Sequence, residues 1–183
     1  MPPELQTQRL LLQPLSSQDA DGIFALQRHP DVVRYTSFPP STRNESDALL
    51  AQWLAEMHEG GRLSWAVRER SGNFIGLALV FRIDEKNHCG EIGYILLPNA
   101  WGKGFASEIA GALIRYGFDD RKFARLNAVV HPDNHASIRV LEKHGFAREG
   151  LRRASLYKEG AFQDSVLFGL LNEQRINELS RVE

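Results

Sequence analysis

The segment Gly90 to Leu113, GEIGYILLPNAWGKGFASEIAGAL, constrains this chain's fold more than any other stretch. Glu91 to Leu97 is a short apolar run headed by a carboxylate, a strand pattern that Pro98-Asn99 ends with turn chemistry. Gly102-Lys103-Gly104 follows, a turn whose small residues let a backbone approach a ligand closely. Ala106, Ile109, Ala110, Leu113, Ile114 and Phe118 then recur at helical spacing, so the sequence predicts a helix where the glycines end. Strand, glycine loop and helix N-terminus together favour an anion, because unpaired N–H groups converge there and the helix dipole attracts negative charge. The P-loop pattern is incomplete, with Phe105 after the last glycine, and Ser107 takes the third glycine position of the dinucleotide fingerprint. The residues alone leave two readings, a phosphate or pyrophosphate loop and a glycine-rich turn.

The flanking sequence supplies the rest of an α/β pattern. Thr7 to Leu15 reads as a first strand, and Ser16 to Asp19 has capping-box form before a helix bearing Ile23, Phe24 and Gln27. Asp31 to Pro40 reads as loop or broken helix. Thr42 to Glu59 reads as a helix with Leu49, Leu50, Trp53, Leu54 and Met57 on its apolar face. Leu63 to Arg70 and Phe74 to Ile83 form a hairpin about Ser71-Gly72-Asn73. Beyond the glycine loop come a strand at Ala124 to Val130 and a helix at Asn134 to His144. Two last strands, Phe146 to Leu156 and Phe162 to Leu171, turn at Lys158-Glu159-Gly160, and a polar tail follows. The order β-α-α-β-β-β-α-β-α-β-β predicts an α/β fold with a mixed sheet.

The totals set bounds. With 183 residues and no repeat or linker, one domain spanning 1–183 is expected. A net charge of −1 argues against nonspecific nucleic-acid binding. Cys89 is alone, which leaves no disulfide framework and no cysteine metal site, and the six histidines lack metal-ligand spacing. No run reaches membrane-span length and the N-terminus lacks a signal-peptide pattern, so a cytoplasmic protein without membrane partners is expected.

Trp101-Gly102-Lys103-Gly104-Phe105-Ala106 resembles the acetyl-CoA pyrophosphate loop of the GNAT N-acetyltransferases, Q/R-x-x-G-x-G/A. Gly104 and Ala106 match its last two positions, and Trp101 stands where Gln or Arg is usual. A W-G-K-G form is common in the branch of the ribosomal-protein alanine N-acetyltransferases. The GNAT element order matches this chain's, so the resemblance covers nearly all of it and is strongest from Gly90 to Phe146. It implies a central mixed, mostly antiparallel twisted sheet flanked by helices. It also implies transfer of acetyl from acetyl-CoA to a primary amine in a ternary complex, without a metal. No activated Ser or Cys triad is present that would form an acyl-enzyme. The branch suggests a protein N-terminal amine, ribosomal-protein type, as acceptor. The alternatives are a small-amine, amino-acid or antibiotic acetyltransferase and a non-catalytic CoA-binding sensor. A monomer or homodimer is expected.

Residue roles follow from the resemblance. The loop Trp101 to Ala106 would hold the pyrophosphate on backbone N–H groups, with Lys103 adding a charge. Leu96 and Leu97 sit where GNAT proteins offer a splayed strand to the pantetheine arm. One N–H near them is the expected oxyanion donor. Asn134-x-x-Ser137 with Leu141 to Phe146 resembles the segment N-x-x-A/S…Y-x-K-x-G-F, whose Asn contacts the cofactor. The Tyr that protonates the thiolate in many relatives is replaced by Leu141, which makes Ser137 the candidate donor near the sulfur. Glu91, ten residues before Trp101, is the candidate general base, with Glu142, Glu149 and Asp164 as rivals. Cys89 reads as a small buried hydrophobe. Phe38, Trp53 and Trp65 would line a substrate mouth or fill the core, and Arg152 and Arg153 would attract the cofactor's phosphates or an acidic substrate, or lie on a solvated strand. Asp31 to Pro40, the helix from Thr42 and the last hairpin are the expected acceptor-facing segments.

Overall fold

The computed structural model describes residues 1–36 and 42–181. Phe38 and the rest of the stretch 37–41 lie outside the described residues, as do 182 and 183. The chain opens with β1 (Leu5–Gln6) and β2 (Leu10–Pro14), then α1 (Ala20–Arg28), the single-turn α2 (Pro30–Val33) and α3 (Arg43–His58). The hairpin β3 (Arg62–Glu69) and β4 (Phe74–Asp84) leads to β5 (Cys89–Leu96) and α4 (Phe105–Arg115). Then come β6 (Arg125–Val130), α5 (His135–Lys143), β7 (Ala147–Lys158), β8 (Ala161–Leu171) and α6 (Glu173–Leu179). The polar tail is thus partly helical: the Asn172 side chain accepts from the Arg175 N–H at 3.1 Å and starts the last helix.

Capping chemistry fixes the helix starts. Asp19 accepts from the Ser16 N–H at 2.9 Å, and Glu45 accepts from the Thr42 N–H at 2.7 Å. Among the described residues eight strands form one sheet in the order β1-β2-β3-β4-β5-β6-β8-β7. Every pairing is antiparallel except β5 with β6, so the sheet is mixed and mostly antiparallel. Strand β4 is apolar nearly throughout because helices cover both its faces. Its Ala78 and Val80 pack with Phe105, Ile109, Leu113 and Leu141 on one side; Leu77 and Leu79 pack with Ile23, Leu26, Leu50 and Trp53 on the other.

The one parallel pairing is short. It joins Cys89, Gly90 and Glu91 to Arg125, Leu126 and Asn127, and it ends there. From Ile92 onward β5 stays on β4 while β6 turns away, which opens the sheet at its middle. Antiparallel hydrogen bonds alternate along a strand. Since the Leu97 N–H donates to the Ile75 carbonyl at 2.9 Å, the N–H groups of Tyr94 and Leu96 point away from β4, toward the opening.

Candidate active site

Two cavities occupy the two sides of the gap and meet. The first, about 460 Å³, lies between the end of β5, the glycine loop and α5. The second, about 580 Å³, lies among α3, β4, β5 and the β7–β8 hairpin. Tyr35, Thr36, Tyr94 and Ile95 line both.

The glycine loop forms the head of the first cavity. Gly102 and Gly104 have φ of 72° and 80°, a conformation that side-chain-bearing residues avoid. The N–H groups from Gly102 to Ser107 have no acceptor among the described residues, as expected of a helix N-terminus. Leu96, Trp101, Gly102, Gly104, Phe105, Ala106, Asn134 and Ser137 all border this cavity. The exposed Trp101 ring folds back to donate its Nε1–H to the Leu96 carbonyl at 2.8 Å. Two expected members are not brought in. Leu97 follows the alternation of the strand and, like Ile95, packs against the cluster of Leu77, Leu79 and Trp53 on the opposite face, and its N–H is already bonded. This removes Leu97 from the oxyanion candidates and leaves the N–H groups of Leu96 and Tyr94. Lys103 does not border the cavity; its carbonyl accepts from Arg9 Nη1 at 2.9 Å.

Arg9 is the clamp of this loop. Its guanidinium lies 4.6 Å from the centre of the Phe105 ring and pairs with Glu108 at 2.8 Å. Glu108 also accepts from the Arg9 N–H at 2.7 Å. Burial acts against the Glu108 carboxylate, but hydrogen bonds from Thr7 and Arg9 and the Arg9 charge hold it below the usual range.

On α5, the Asn134 side chain accepts from the Ser137 N–H at 3.2 Å, so it caps the helix while facing the cavity. Arg139 and Lys143 lie one turn apart on the same helix and border the same cavity, with no ion pair among the described residues. Sequence reasoning overlooked both, although their spacing of four was visible. His144, at the helix end, bonds Ser107 at 2.9 Å and so joins α5 to α4.

Tyr94 was also overlooked. It projects from β5 into the junction of the cavities, its hydroxyl buried without a hydrogen bond of good geometry. Burial pushes the phenol up to about 12, and the Ser137 side chain, its polar neighbour, offsets this in part.

Glu91 borders the second cavity, and its side chain is buried. Arg82 Nη1 donates to its Oε2 at 2.9 Å. Arg82 reaches it because β4 bulges between Phe81 and Asp84, where Arg82 adopts φ 49°. Among the rivals, Glu149 pairs with Arg125, Glu142 is exposed, and Asp164 borders the cavity but accepts from the Ala154 N–H at 2.8 Å. Trp53 lines the cavity and Trp65 is core. Residues of all three expected acceptor-facing segments contribute: Tyr35 and Thr36, then Leu49 and Trp53, then Arg152 to Ser165. Lys158 ties two of them together by donating to the Val33 and Thr36 carbonyls. Burial pushes the Cys89 thiol up, with Asp84 adding to the shift, which suits a packing role. Among the described residues no three metal-ligating side chains cluster.

The family model of the Acetyltransferase (GNAT) domain matches residues 9–147, most of the chain. The chain belongs to the GNAT acetyltransferase family. It is an N-acetyltransferase by this membership. The uncharacterized N-acetyltransferase YoaA of Bacillus subtilis is 34% identical over 92% of this chain and 97% of its own length. Among GNAT structures, RimL, a ribosomal alpha-N-protein acetyltransferase in complex with coenzyme A, superposes with a TM-score of 0.84. It is 17% identical over 92% of this chain and 98% of its own. The Vibrio cholerae spermidine N-acetyltransferase in complex with CoA and spermine gives a TM-score of 0.82, at 23% identity and the same coverage of 92% and 98%. At these identities the two structures establish a shared GNAT fold.

Proposed function

We propose that this chain is one domain that moves acetyl from acetyl-CoA to a primary amine by direct attack, with Glu91 as base. The carrying observation is the pair of joined cavities, one headed by free N–H groups and the other by a buried carboxylate. The first fits the cosubstrate. At Gly102 its glycine loop leaves open space where a side chain would stand, and Arg139 and Lys143 complement phosphates. Asn134 and the free edge of β5 at Tyr94 and Leu96 suit an amide-bearing arm. Acetyl-CoA supplies the activated acetyl thioester; the chain supplies orientation and proton management.

Glu91 takes the proton from the attacking amine, directly or through a water. Arg82 holds only one of its oxygens, and with 63% of its side chain exposed it is free to shift. The N–H of Tyr94 or Leu96 faces the developing oxyanion. Ser137 and Tyr94 donate hydrogen bonds where the sulfur leaves. A phenol at about 12 lies roughly 3.5 units above a thiol near 8.5, so full proton transfer would be uphill by about 5 kcal/mol. Tyr94 therefore stabilises the thiolate as a hydrogen-bond donor and keeps its proton. It takes up, from the opposite wall, part of the task that Leu141 cannot perform.

The GNAT relatives named above act on spermidine and on a ribosomal protein, which frames the acceptor as a small amine or a protein N-terminus. The Arg82–Glu91 pair is the observation on which a CoA-binding module without turnover would rest. Free-thiol release from acetyl-CoA against a panel of amines decides between them. Amine-dependent release supports transfer; CoA binding without release on any amine overturns it.

A further inference from the structure

We infer that the acceptor carries a carboxylate beside its amine, and that Arg152 is the residue that selects it; this rests on the second cavity being the acceptor site. That cavity presents three arginines, Arg62, Arg82 and Arg152, against two carboxylates, Glu91 and Asp164. Four of these five groups already have partners. Arg62 lies 4.5 Å from the Trp53 ring centre, donates to Ser64 at 2.8 Å and faces Glu56 at 3.7 Å. Arg82 holds Glu91, and Asp164 holds the Ala154 N–H. Arg152 has no ion pair or side-chain hydrogen bond among the described residues. Among the described residues the cavity therefore offers one uncommitted cation.

The backbone supports this wall by design of its register. Strand β7 bulges between Arg152 and Leu156, with Ala154 at φ 49°, and Asp164 fastens the bulge through the Ala154 N–H. A non-glycine residue in that region is strained and persists where surrounding structure holds it. Opposite, the β4 bulge with Arg82 at φ 49° aims the other arginine at Glu91. Both walls of one cavity thus use a bulge beside an arginine. Next to Arg152 stand Ser155 and Ser165, 2.7 Å apart and both on the lining, hydroxyls that suit the second oxygen of a carboxylate. An amine between Glu91 on β5 and Arg152 on β7 would face a base at one end and a cation at the other. A polyamine would place positive charge against the same arginine, which repels it. A volume of about 580 Å³ suits a small molecule or the first residues of a chain.

Two sources share this chemistry, a free amino acid and a peptide N-terminus with an acidic second residue. The test measures kcat/KM for alanine against alaninamide, for the peptide amide Ala-Asp-Ala-Ala against Ala-Asn-Ala-Ala, and for spermidine. The inference predicts that at least one acid exceeds its neutral partner by about 10- to 100-fold, mostly through KM, with spermidine poorest. The pair showing the preference identifies the source. Arg152→Gln erases the preference, and Arg152→Lys restores part of it, which a merely structural role would not do. Equal use of acids and amides, or preference for spermidine, overturns the inference while leaving acetyl transfer intact. Calorimetry with the CoA-loaded chain separates the remaining cases. Acid-selective binding without thiol release on any amine supports this inference and overturns the proposed reaction; binding of neither acid overturns this inference alone.

Discussion

Replacing Tyr94 with Phe should raise stability and lower the rate, two effects of opposite sign from one hydroxyl. The hydroxyl is buried without a well-formed hydrogen bond. Such a group costs about 1–3 kcal/mol relative to one that is satisfied or absent. Ser137 returns part of this, so we take the lower end, about 1 kcal/mol. The ring stays, and no cavity is made. For 183 residues this corresponds to a Tm increase of about 2–4 °C. Losing a preorganised donor at developing charge costs about 100- to 1000-fold where it acts alone. Ser137 remains beside the same spot, so a fall in kcat of about 10- to 100-fold is expected. Thermal melting and steady-state thiol release on the same preparation read both effects. The phenol stays protonated below about 12, so the wild-type rate should show no alkaline decline from Tyr94 between pH 7 and 10. A lower Tm for Tyr94→Phe would refute the burial argument, and an unchanged kcat would refute the donor role.

Two further substitutions test the supports of the site. A Cβ at Gly76 would stand 2.2 Å from the Ile95 carbonyl oxygen and 2.6 Å from Leu96 Cδ2, so Gly76→Ala must displace the open end of β5. It should cost about 1–3 kcal/mol and raise KM for acetyl-CoA, read by melting and by kinetics. Glu108 joins the β1–β2 turn to α4, and its depressed pKa makes it stabilising above its ordinary value of 4.5. That stability is lost as pH falls through its lower folded value, so wild type and Glu108→Gln should differ in Tm at pH 7 and converge in strong acid. A constant gap across pH would contradict this.

The parts of the site that were legible in sequence are local ones. Strand, glycine turn and helix follow one another within Gly90 to Leu113, and a cap such as Asn134 acts within three residues. What was illegible depends on pairing. Leu96 and Leu97 look alike in an apolar run, and only the bond from Leu97 to Ile75 shows which of them faces the gap. Tyr94 reads as one more apolar position until α5 packs Ser137 beside it. Arg82 meets Glu91 because two bulge residues shift the register of β4, and the pairing of β7 sets which of Arg152 and Arg153 borders the same cavity, where Arg152 does. A bulge is defined by the pairing of two strands, which the sequence of one strand does not specify. The tail after Leu171 reads as polar, yet Asn172 begins a helix there, and α2 forms a single turn within a segment that reads as broken helix or loop.

The central claim is that Glu91 removes the amine proton in a direct transfer. The measurement that tests it most directly is thiol release by Glu91→Gln compared with wild type, across pH and at saturating amine. The account predicts a loss of about 100-fold or more at neutral pH that narrows as pH rises and the amine reaches the site already deprotonated. It predicts CoA affinity equal to that of wild type, because Glu91 borders the other cavity. A variant that matches wild type at every pH would contradict the account.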